Sequence, residues 1–334
     1  MQETKARTET VAEGIVRVRI PVPFGRLGDV NCYVLKDDAG WTVLDTGLNT
    51  PAAQAAWAEA LDAMTLGWND LTRIILTHSH PDHIGLAGWM QEQIREASGC
   101  TVPVHLSKRE RELARYWSAA GTSDAPLLTL FRRCGAPDEL LATVASDMQA
   151  IRQATHPHPI NMQPLEPGAE LTVGPRRLAP LVTPGHSDGH IALHDATDRL
   201  ILSGDQVLLH ITPTISRWPS TTPNPLGRYL ESLQTLGALD IRLALPGHGP
   251  TVIDWAARIQ AIQQHHQDRL NAMLGAVGEG ATVLDVARDH FSMGRLAHSE
   301  ARFAIAETLA HLEYLEANGH IERSDTDVWR FRRL

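Results

Sequence analysis

Cysteine is scarce in this sequence, which has three among 334 residues and no Cys-x-x-Cys pair. A framework of several disulfides, the usual device of small secreted proteins, is therefore excluded. We expect Cys32, Cys100 and Cys134 to be ordinary packing residues in a reducing compartment, and we predict a cytoplasmic protein.

Long apolar segments are also absent. No run approaches the roughly 18 apolar residues of a membrane-spanning helix, and residues 1–7 lead into no apolar segment of the kind found in signal peptides. We therefore expect no membrane partner. With 43% hydrophobic residues, the chain can bury a large core and is long enough for two domains.

Positive charge is in deficit, because 30 Lys and Arg residues stand against 39 Asp and Glu residues and the formal net charge is −9. Nucleic-acid binding is driven largely by the neutralisation of phosphates. The charge balance argues against a broad surface for nucleic-acid binding, although it does not exclude a local basic patch.

What the chain does have is a dense group of imidazoles. Residues 77–85 read Thr-His-Ser-His-Pro-Asp-His-Ile-Gly, so that His78, His80, Asp82 and His83 fall within six positions. Imidazoles and carboxylates are the side chains that bind divalent metal ions of intermediate softness. We interpret this segment as half of a site for two metal ions.

The strand and the helix expected around this segment direct the four side chains toward two different metal ions. The preceding residues, Arg-Ile-Ile-Leu, are typical of a buried strand, so His78 and His80 leave its end on the same side. Pro81 suits the first position of a helix, because its missing N–H costs nothing there. Asp82 and His83 then lie in the opening turn of that helix, where they can face a second metal ion.

Further ligand-type residues follow short apolar strands elsewhere in the chain. Each stands on a turn beside a glycine, and the residues are Asp45, His186, Asp205 and His248. The glycines permit the tight or left-handed turns that aim a side chain back over the edge of a sheet. Together with the first segment, these residues are enough to complete two metal sites.

The order Asp45, His78-x-His80-x-Asp82-His83, His186, Asp205, His248 resembles the metallo-β-lactamase superfamily over about residues 12–252. The resemblance implies an α/β fold, a four-layer αββα sandwich in which two mixed sheets pack face to face between outer helices. Within the superfamily the chain looks like the bacterial branch with a C-terminal winged-helix-like domain, near the glyoxalase II-like and lactamase-beta-like endoribonuclease groups.

The same resemblance assigns a role to each ligand-type residue. The ligands of a first metal ion are resembled by His78, His80 and His186. The ligands of a second metal ion are resembled by Asp82, His83 and His248. Asp205 resembles the carboxylate that bridges both ions. Asp45 looks like a group that orients a ligand or the metal-bound water. The catalytic candidates are Asp45, Asp82 and His190, of which His190 is expected either to support the site or to face the substrate.

The implied cofactor is a pair of zinc ions. Five imidazoles and two carboxylates without a thiolate suit Zn²⁺ and also accept Mn²⁺, Fe²⁺ or Ni²⁺. Metal binding lowers the pKa of water from about 15.7 to about 7, so a metal-bridging hydroxide is the predicted nucleophile. β-Lactamases of the best-known class carry a cysteine where Asp205 stands, so antibiotic hydrolysis is not the expected main role.

The chain is expected to form two domains. Residues 1–253 are predicted to be the catalytic domain, with a largely helical insertion at about residues 105–167 that either caps the site or decorates the surface. Residues 254–334 are predicted to be the winged-helix-like domain, with three helices at 254–277, 282–290 and 299–318 and a final hairpin of strands at 320–323 and 328–332.

The loop that follows Asp205 is expected to carry specificity. Residues 211–224 are rich in Pro, Ser and Thr and must lie near the mouth of the site. Because loops at such positions commonly determine what binds, we take Arg217, Trp218 and Tyr229 as candidates for substrate contact.

The predicted function is hydrolysis of a small-molecule ester, thioester or lactone. One alternative is an endoribonuclease, and another is a regulator that senses a ligand and binds DNA through the winged helix. Against the regulator, residues 299–318 carry Arg302 alone among Glu300, Glu307, Glu313 and Glu316, and a recognition helix needs a basic face. A packing or homodimer role for the domain is preferred.

The histidines of this domain lack the spacing of metal ligands. We interpret them as surface or packing residues, namely His265, His266, His298, His311 and His320.

Overall fold

Two β-sheets packed face to face form the centre of the protein. The computed structural model describes residues 7–23, 28–118, 122–166, 168–291, 298–324 and 326–334. Among these residues, one sheet has seven strands in the order β1 (Thr8–Ala12), β2 (Ile15–Pro21), β3 (Asp29–Asp37), β4 (Gly40–Leu44), β5 (Leu71–Ile75), β6 (Val104–Ser107) and β7 (Met162–Leu165). The other has five strands in the order β12 (Leu243–Pro246), β11 (Leu200–Gly204), β10 (Ile191–Asp195), β9 (Arg176–Val182) and β8 (Leu171–Val173).

Both sheets are mixed. Strands β1 to β4 pair antiparallel and β4 to β7 pair parallel, whereas β11 and β12 form the parallel pair of the second sheet. Side chains from both sheets, including Ile15, Leu44, Leu202 and Leu245, are buried in the layer between them. Excluding this apolar surface from water holds the two sheets together.

Helices cover the two outer faces. Helices α1 (Pro51–Ala63) and α3 (Ala87–Ser98) pack on the seven-stranded sheet, and α7 (Pro225–Gly237) and α8 (Trp255–Ala276) pack on the five-stranded sheet. Helix α1 begins after Thr50, whose Oγ1 accepts a hydrogen bond from the Ala53 N–H at 3.2 Å. The predicted αββα arrangement is confirmed. No helix among the described residues combines the length and the apolar character needed to cross a membrane.

The predicted helical insertion lies between β6 and β7. It contains α4 (Lys108–Ala114), α5 (Ala125–Arg133) and α6 (Asp138–Gln153). Phe131 of α5 and Val144 of α6 are buried in the same apolar cluster as Ile305 and Leu309 near the end of the chain. The insertion is therefore part of the core and not a surface decoration, whereas its role as a cap over the site stays a prediction.

The last part of the chain is helical with a small sheet. It contains β13 (Glu279–Thr282), α9 (Val283–His290), α10 (His298–Ala317), β14 (Ile321–Arg323) and β15 (Arg330–Arg333), with the strand order β13-β15-β14. Strand β13 was not expected from its sequence Glu-Gly-Ala-Thr, and it forms by antiparallel pairing with β15. The three helices and the final hairpin are present as predicted. Description of this part as a winged helix stays a prediction, and Asp325 of the hairpin turn lies outside the described residues.

Candidate metal centre

The predicted metal ligands follow four strands, and Asp45, the predicted orienting residue, follows a fifth. Asp45 follows β4, His78 and His80 follow β5, Asp82 and His83 lie in the short helix α2 (Pro81–Ile84), and His186, Asp205 and His248 follow β9, β11 and β12. Pro81 occupies the first position of α2, as its sequence predicted. The strands thus deliver these side chains to one region of the sandwich.

The side chains form three overlapping clusters, and the ligand atoms of each cluster lie within 4.8 Å of one another. The clusters are His78 with His80 and His186, His78 with His83 and Asp205, and Asp82 with His83 and His248. Asp205 is central, because its Oδ2 lies 3.4 Å from His83 Nε2, 3.6 Å from His186 Nε2 and 3.5 Å from His248 Nε2. All seven predicted ligands therefore lie in a single site.

Several polar atoms of this site are buried without a hydrogen-bond partner among the described residues. They are Nε2 of His83, His186 and His248 and Oδ1 of Asp205. Leaving a buried polar atom unpaired costs about 1–3 kcal/mol, whereas imidazole nitrogens and carboxylate oxygens are good ligands for zinc and similar ions. The residues present therefore fit a centre for divalent metal ions.

The rings are oriented through their other nitrogens. Nδ1 of His186 lies 3.0 Å from the carbonyl oxygen of Thr214, and Nδ1 of His248 lies 2.8 Å from that of Asp29. A ring nitrogen that donates to a carbonyl fixes both the tautomer and the direction of the ring. The Nε2 atoms are thereby left to face the centre.

Asp45 holds His83 in the same way. The Asp45 carboxylate is buried and accepts from the Thr77 N–H and the Thr77 hydroxyl, both at 2.8 Å, while its Oδ2 lies 2.9 Å from His83 Nδ1. Asp45 has φ 59°, an uncommon backbone conformation for a residue other than glycine. This turn aims the carboxylate at His83, in agreement with the predicted orienting role.

Burial and charge oppose each other in setting the pKa values of the site. Burial lowers the pKa of His78 well below its usual range, and the neighbouring imidazoles add to the effect. Burial alone would lower the pKa of His248 as well, but Asp205 and Asp82 outweigh it and raise the pKa to about 10. Burial would raise the pKa of Asp205, yet His248 and His83 hold it well below its usual range. The carboxylates thus stabilise positive charge here, as a cation site requires.

His190 supports the site through a hydrogen bond with the backbone at Asp205. It is fully buried, its Nδ1 lies 2.8 Å from Thr183 Oγ1, and its Nε2 accepts from the Asp205 N–H at 3.2 Å. A Cβ atom on Gly204 (φ 49°) would lie 2.6 Å from His190 Nε2, so this turn requires glycine. With both nitrogens engaged, His190 does not face a substrate, and of its two predicted roles the structure favours support.

Tyr229 is not placed for substrate contact. It is fully buried in α7, and its hydroxyl donates to the carbonyl oxygen of Gln206 at 2.8 Å. A Cβ atom on Gly185 would lie 2.4 Å from Tyr229 Cβ, so the ring supports the turn before His186. The prediction of substrate contact is corrected for Tyr229, because its helix packs beneath the site.

The other two substrate candidates lie on the loop after Asp205. Arg217 Nε donates to Glu313 Oε1 of α10 at 3.1 Å, so Arg217 anchors the loop. The partly buried Trp218 packs between Phe131 and Phe303, with ring centroids 6.1 and 6.0 Å away. Substrate contact by Trp218 and Arg217 stays a prediction.

Two further carboxylates lie near the site. Asp188 accepts from Arg109 Nη2 at 2.9 Å and from Arg228 Nη1 at 2.8 Å, and thereby joins the loop after His186 to α4 and α7. Glu110 is fully buried and accepts hydrogen bonds from Ser79 and Gly189. In the sequence, Ser107-Lys-Arg-Glu110 is typical of a helix capping box, and nothing local distinguishes Glu110 from an ordinary capping residue.

The histidines of the C-terminal part do not form a candidate metal cluster among the described side chains. His266 and His311 are buried, and His266 Nδ1 lies 3.2 Å from His311 Nε2. His265 is partly buried and His320 is exposed, while the side chain of His298 lies outside the described residues. The four histidines whose side chains are described occupy positions of packing and surface residues.

Known proteins are similar to this chain in both sequence and structure. Residues 25–248 match the metallo-beta-lactamase superfamily, and residues 270–334 match the metallo-beta-lactamase-like C-terminal domain. The chain is 27% identical over 322 residues to the probable metallo-hydrolase YqjP of Bacillus subtilis, covering 95% of both proteins.

Two solved structures resemble the whole chain. A metallo-beta-lactamase family protein from Thermus thermophilus is 34% identical with a TM-score of 0.84, over 97% of this chain and 99% of the other. A beta-lactamase domain protein from Burkholderia ambifaria is 28% identical with a TM-score of 0.81, over 98% and 95%. Members of the superfamily typically bind metal ions, and the His and Asp clusters described above could hold such ions. The chain therefore belongs to the metallo-β-lactamase superfamily and is a metal-dependent hydrolase.

Proposed function

We propose that this protein hydrolyses a small-molecule ester, thioester or lactone at a centre for two divalent metal ions, with zinc as the native metal. The proposal is carried by the position of Asp205, whose Oδ2 lies within 3.6 Å of imidazole nitrogens from both groups of ligands. A carboxylate shared between two groups of terminal ligands suits a pair of ions better than one.

Each residue has a part in this proposal. His78, His80 and His186 hold the first ion, Asp82, His83 and His248 hold the second, and Asp205 lies between the two. Asp45 orients His83 through its 2.9 Å contact with Nδ1. His190 accepts from the Asp205 N–H and so supports the bridging turn.

The chemistry follows from this arrangement. Two divalent ions bound here would supply hydroxide at neutral pH and polarise the bond under attack. The protein contributes orientation, because the carbonyl oxygens of Thr214 and Asp29 hold the His186 and His248 rings before substrate arrives. Rings that need no rearrangement cost no reorganisation energy during the reaction.

A small substrate is favoured over a polynucleotide. The net charge of −9 opposes phosphate binding. Ile211 belongs to the loop that follows Asp205, and Phe303 packs against Trp218 of the same loop; both apolar side chains are 42% exposed. Exposed apolar groups on and beside this loop suit the acyl part of an ester or thioester.

Residues 254–334 are proposed to stabilise the catalytic domain. Helix α10 is buried along most of its length, including Ala304, Ile305 and Leu309, so it does not offer a free face to DNA. A homodimer contact through other surfaces of this domain remains part of the proposal.

Three unpaired cysteines support a cytoplasmic location.

The test is an assay of purified protein of known metal content against thioesters, lactones, esters, phosphodiesters and single-stranded RNA. We expect two ions per chain and turnover of at least one carboxylic ester, thioester or lactone. Turnover of RNA alone would replace the proposal with the endoribonuclease alternative. Protein that holds at most one ion in zinc-replete medium would refute the binuclear centre.

A further inference from the structure

We propose that Glu110 is a positioning residue for the first group of metal ligands, His78, His80 and His186. The inference rests on the proposed metal-dependent function. Glu110 belongs to α4 of the helical insertion and not to any of the ligand loops, and its side chain is fully buried.

One oxygen of Glu110 holds the segment that carries the first two ligands. Glu110 Oε2 accepts from the Ser79 N–H at 2.8 Å and from the Ser79 hydroxyl at 2.6 Å. Ser79 lies between His78 and His80, so these two hydrogen bonds fix the backbone from which both rings project.

The other oxygen holds the loop that carries the third ligand. Glu110 Oε1 accepts from the Gly189 N–H at 2.8 Å and from the Ser187 hydroxyl. Ser187 directly follows His186. A single carboxylate therefore binds residues adjacent to all three ligands and sets the distance between the two loops that carry them.

The close packing of this loop on α4 supports the same role. A Cβ atom on Gly189 would lie 2.5 Å from Ser107 Oγ and 2.7 Å from Arg109 Cβ. The loop therefore lies directly on the first turn of the helix, and it cannot shift toward α4 to compensate for a lost hydrogen bond.

The chemistry of the four donors requires a carboxylate. Both oxygens of a carboxylate accept, whereas glutamine has one accepting oxygen and an NH₂ group that only donates. In a Glu110→Gln variant the NH₂ group would face either the Ser79 N–H or the Gly189 N–H. One of the two loops would lose its anchor while the volume of the side chain stays the same.

The second group of ligands has separate supports. His83 is held by Asp45, and His248 is held by the carbonyl oxygen of Asp29. Neither contact involves Glu110. Loss of the Glu110 carboxylate should therefore weaken the first group selectively, which a general loss of stability would not do.

The experiment compares Glu110→Gln with wild-type protein and with Glu112→Gln. Glu112 is exposed on the same helix, and Arg109 is its partner in a 3.1 Å ion pair. Zinc affinity is measured by competition with a chromophoric chelator, and anomalous diffraction from zinc-loaded crystals identifies which group is occupied. We expect a loss of about 10–100-fold in the affinity of the first group in Glu110→Gln alone, with the second group unchanged.

Equal zinc affinities in wild-type protein and Glu110→Gln would overturn the proposal, and so would an equal loss at both groups. If Glu110→Gln does not fold, Ser187→Ala removes one donor with little change in volume and should weaken the first group in the same selective manner. An unchanged first group in Ser187→Ala would then overturn it. If wild-type protein binds zinc at the first group alone, the binuclear function is refuted but the role of Glu110 can still be tested. If wild-type protein binds no zinc at the first group, both the proposed function and the role of Glu110 are overturned.

Discussion

Arg217 Nε lies 3.1 Å from Oε1 of Glu313, and this ion pair joins the loop after Asp205 to helix α10. The other oxygen of Glu313 accepts from the Asn224 N–H at 2.9 Å, so one side chain holds both halves of the loop. Thr214, whose carbonyl oxygen lies 3.0 Å from His186 Nδ1, belongs to the same loop. The C-terminal part of the chain is thereby connected to the orientation of a predicted metal ligand.

Glu313→Gln should destabilise the protein and weaken catalysis. Removing one partner of a buried ion pair costs about 3–5 kcal/mol, and the partial exposure of both side chains reduces the expected loss in the free energy of unfolding to about 2 kcal/mol. The loosened loop should also lower kcat/KM on any substrate found. Urea unfolding and steady-state kinetics measure the two effects.

Glu316→Gln is the matched control for this prediction. Glu316 lies one turn further along α10 and pairs with Arg323 at 3.2 Å, with both side chains more than a quarter exposed. A pair so exposed contributes at most about 1 kcal/mol, and the control should keep wild-type kcat/KM. Equal effects of the two substitutions would contradict the role given to Glu313.

Asp205→Asn should weaken the binding of both metal ions, because a neutral amide bridges two cations poorly. We expect elemental analysis to show less than the wild-type metal content and turnover to fall at least about 10-fold. Asp240→Asn, at a surface residue paired with Arg199, provides the control. Full metal content together with full activity in Asp205→Asn would rule out the bridging role.

Stability should depend on pH through Glu307. Burial raises the pKa of Glu307 from its ordinary value near 4.5 to about 7, although Arg269 opposes the shift. The folded protein then binds this proton more tightly than the unfolded chain. The stabilisation is fully present below pH 4.5 and is lost as the pH rises to about 7, by about 3 kcal/mol.

The measurement is the difference in the free energy of unfolding between wild-type protein and Glu307→Gln at several pH values from 4.5 to 8. Burial also lowers the pKa of His266 to about 2 and that of His311 to about 3, and both histidines destabilise either protein as the pH falls below about 6.5. The difference between the two proteins removes that shared effect. A difference that does not change with pH would show that the carboxyl of Glu307 has an ordinary pKa.

Activity should depend on metal ions and not on thiols. Cys32 and Cys134 are buried, and burial raises the pKa of both thiols. Only the exposed Cys100 should react readily with iodoacetamide, and turnover should survive that modification. A chelator should abolish turnover, and zinc or manganese should restore it. Inactivation of fully metallated protein by the thiol reagent would point to a different mechanism.

Nucleic-acid binding should be weak. The basic residues of the final strand are Arg330, Arg332 and Arg333, and Arg332 already pairs with Glu322. We expect no micromolar affinity for duplex DNA or single-stranded RNA across a salt series. Binding that weakens steeply with salt and disappears when the three arginines become alanine would favour the nuclease or regulator alternatives.

The sequence by itself determined the set of ligand-type residues. Most of them stand on turns after strands, and Asp82 and His83 lie in the short helix α2, so the strand period, the proline at the start of α2 and the neighbouring glycines decide where they lie. These are properties of a few consecutive residues. The helix caps at Thr50 and at Thr282 with Asp285 are local in the same sense, because each joins residues three positions apart.

Only the tertiary structure decided what Glu110, Tyr229 and strand β13 do. Glu110 is in a local capping pattern, yet its side chain turns to Ser79 and Ser187, which lie 31 and 77 positions away in the chain. Tyr229 follows a loop near the site but is buried because its helix packs beneath Gly185. Strand β13 exists because β15 offers it a partner. Such contacts join residues far apart in sequence, and packing against those distant partners, which no local pattern encodes, sets the direction of each side chain.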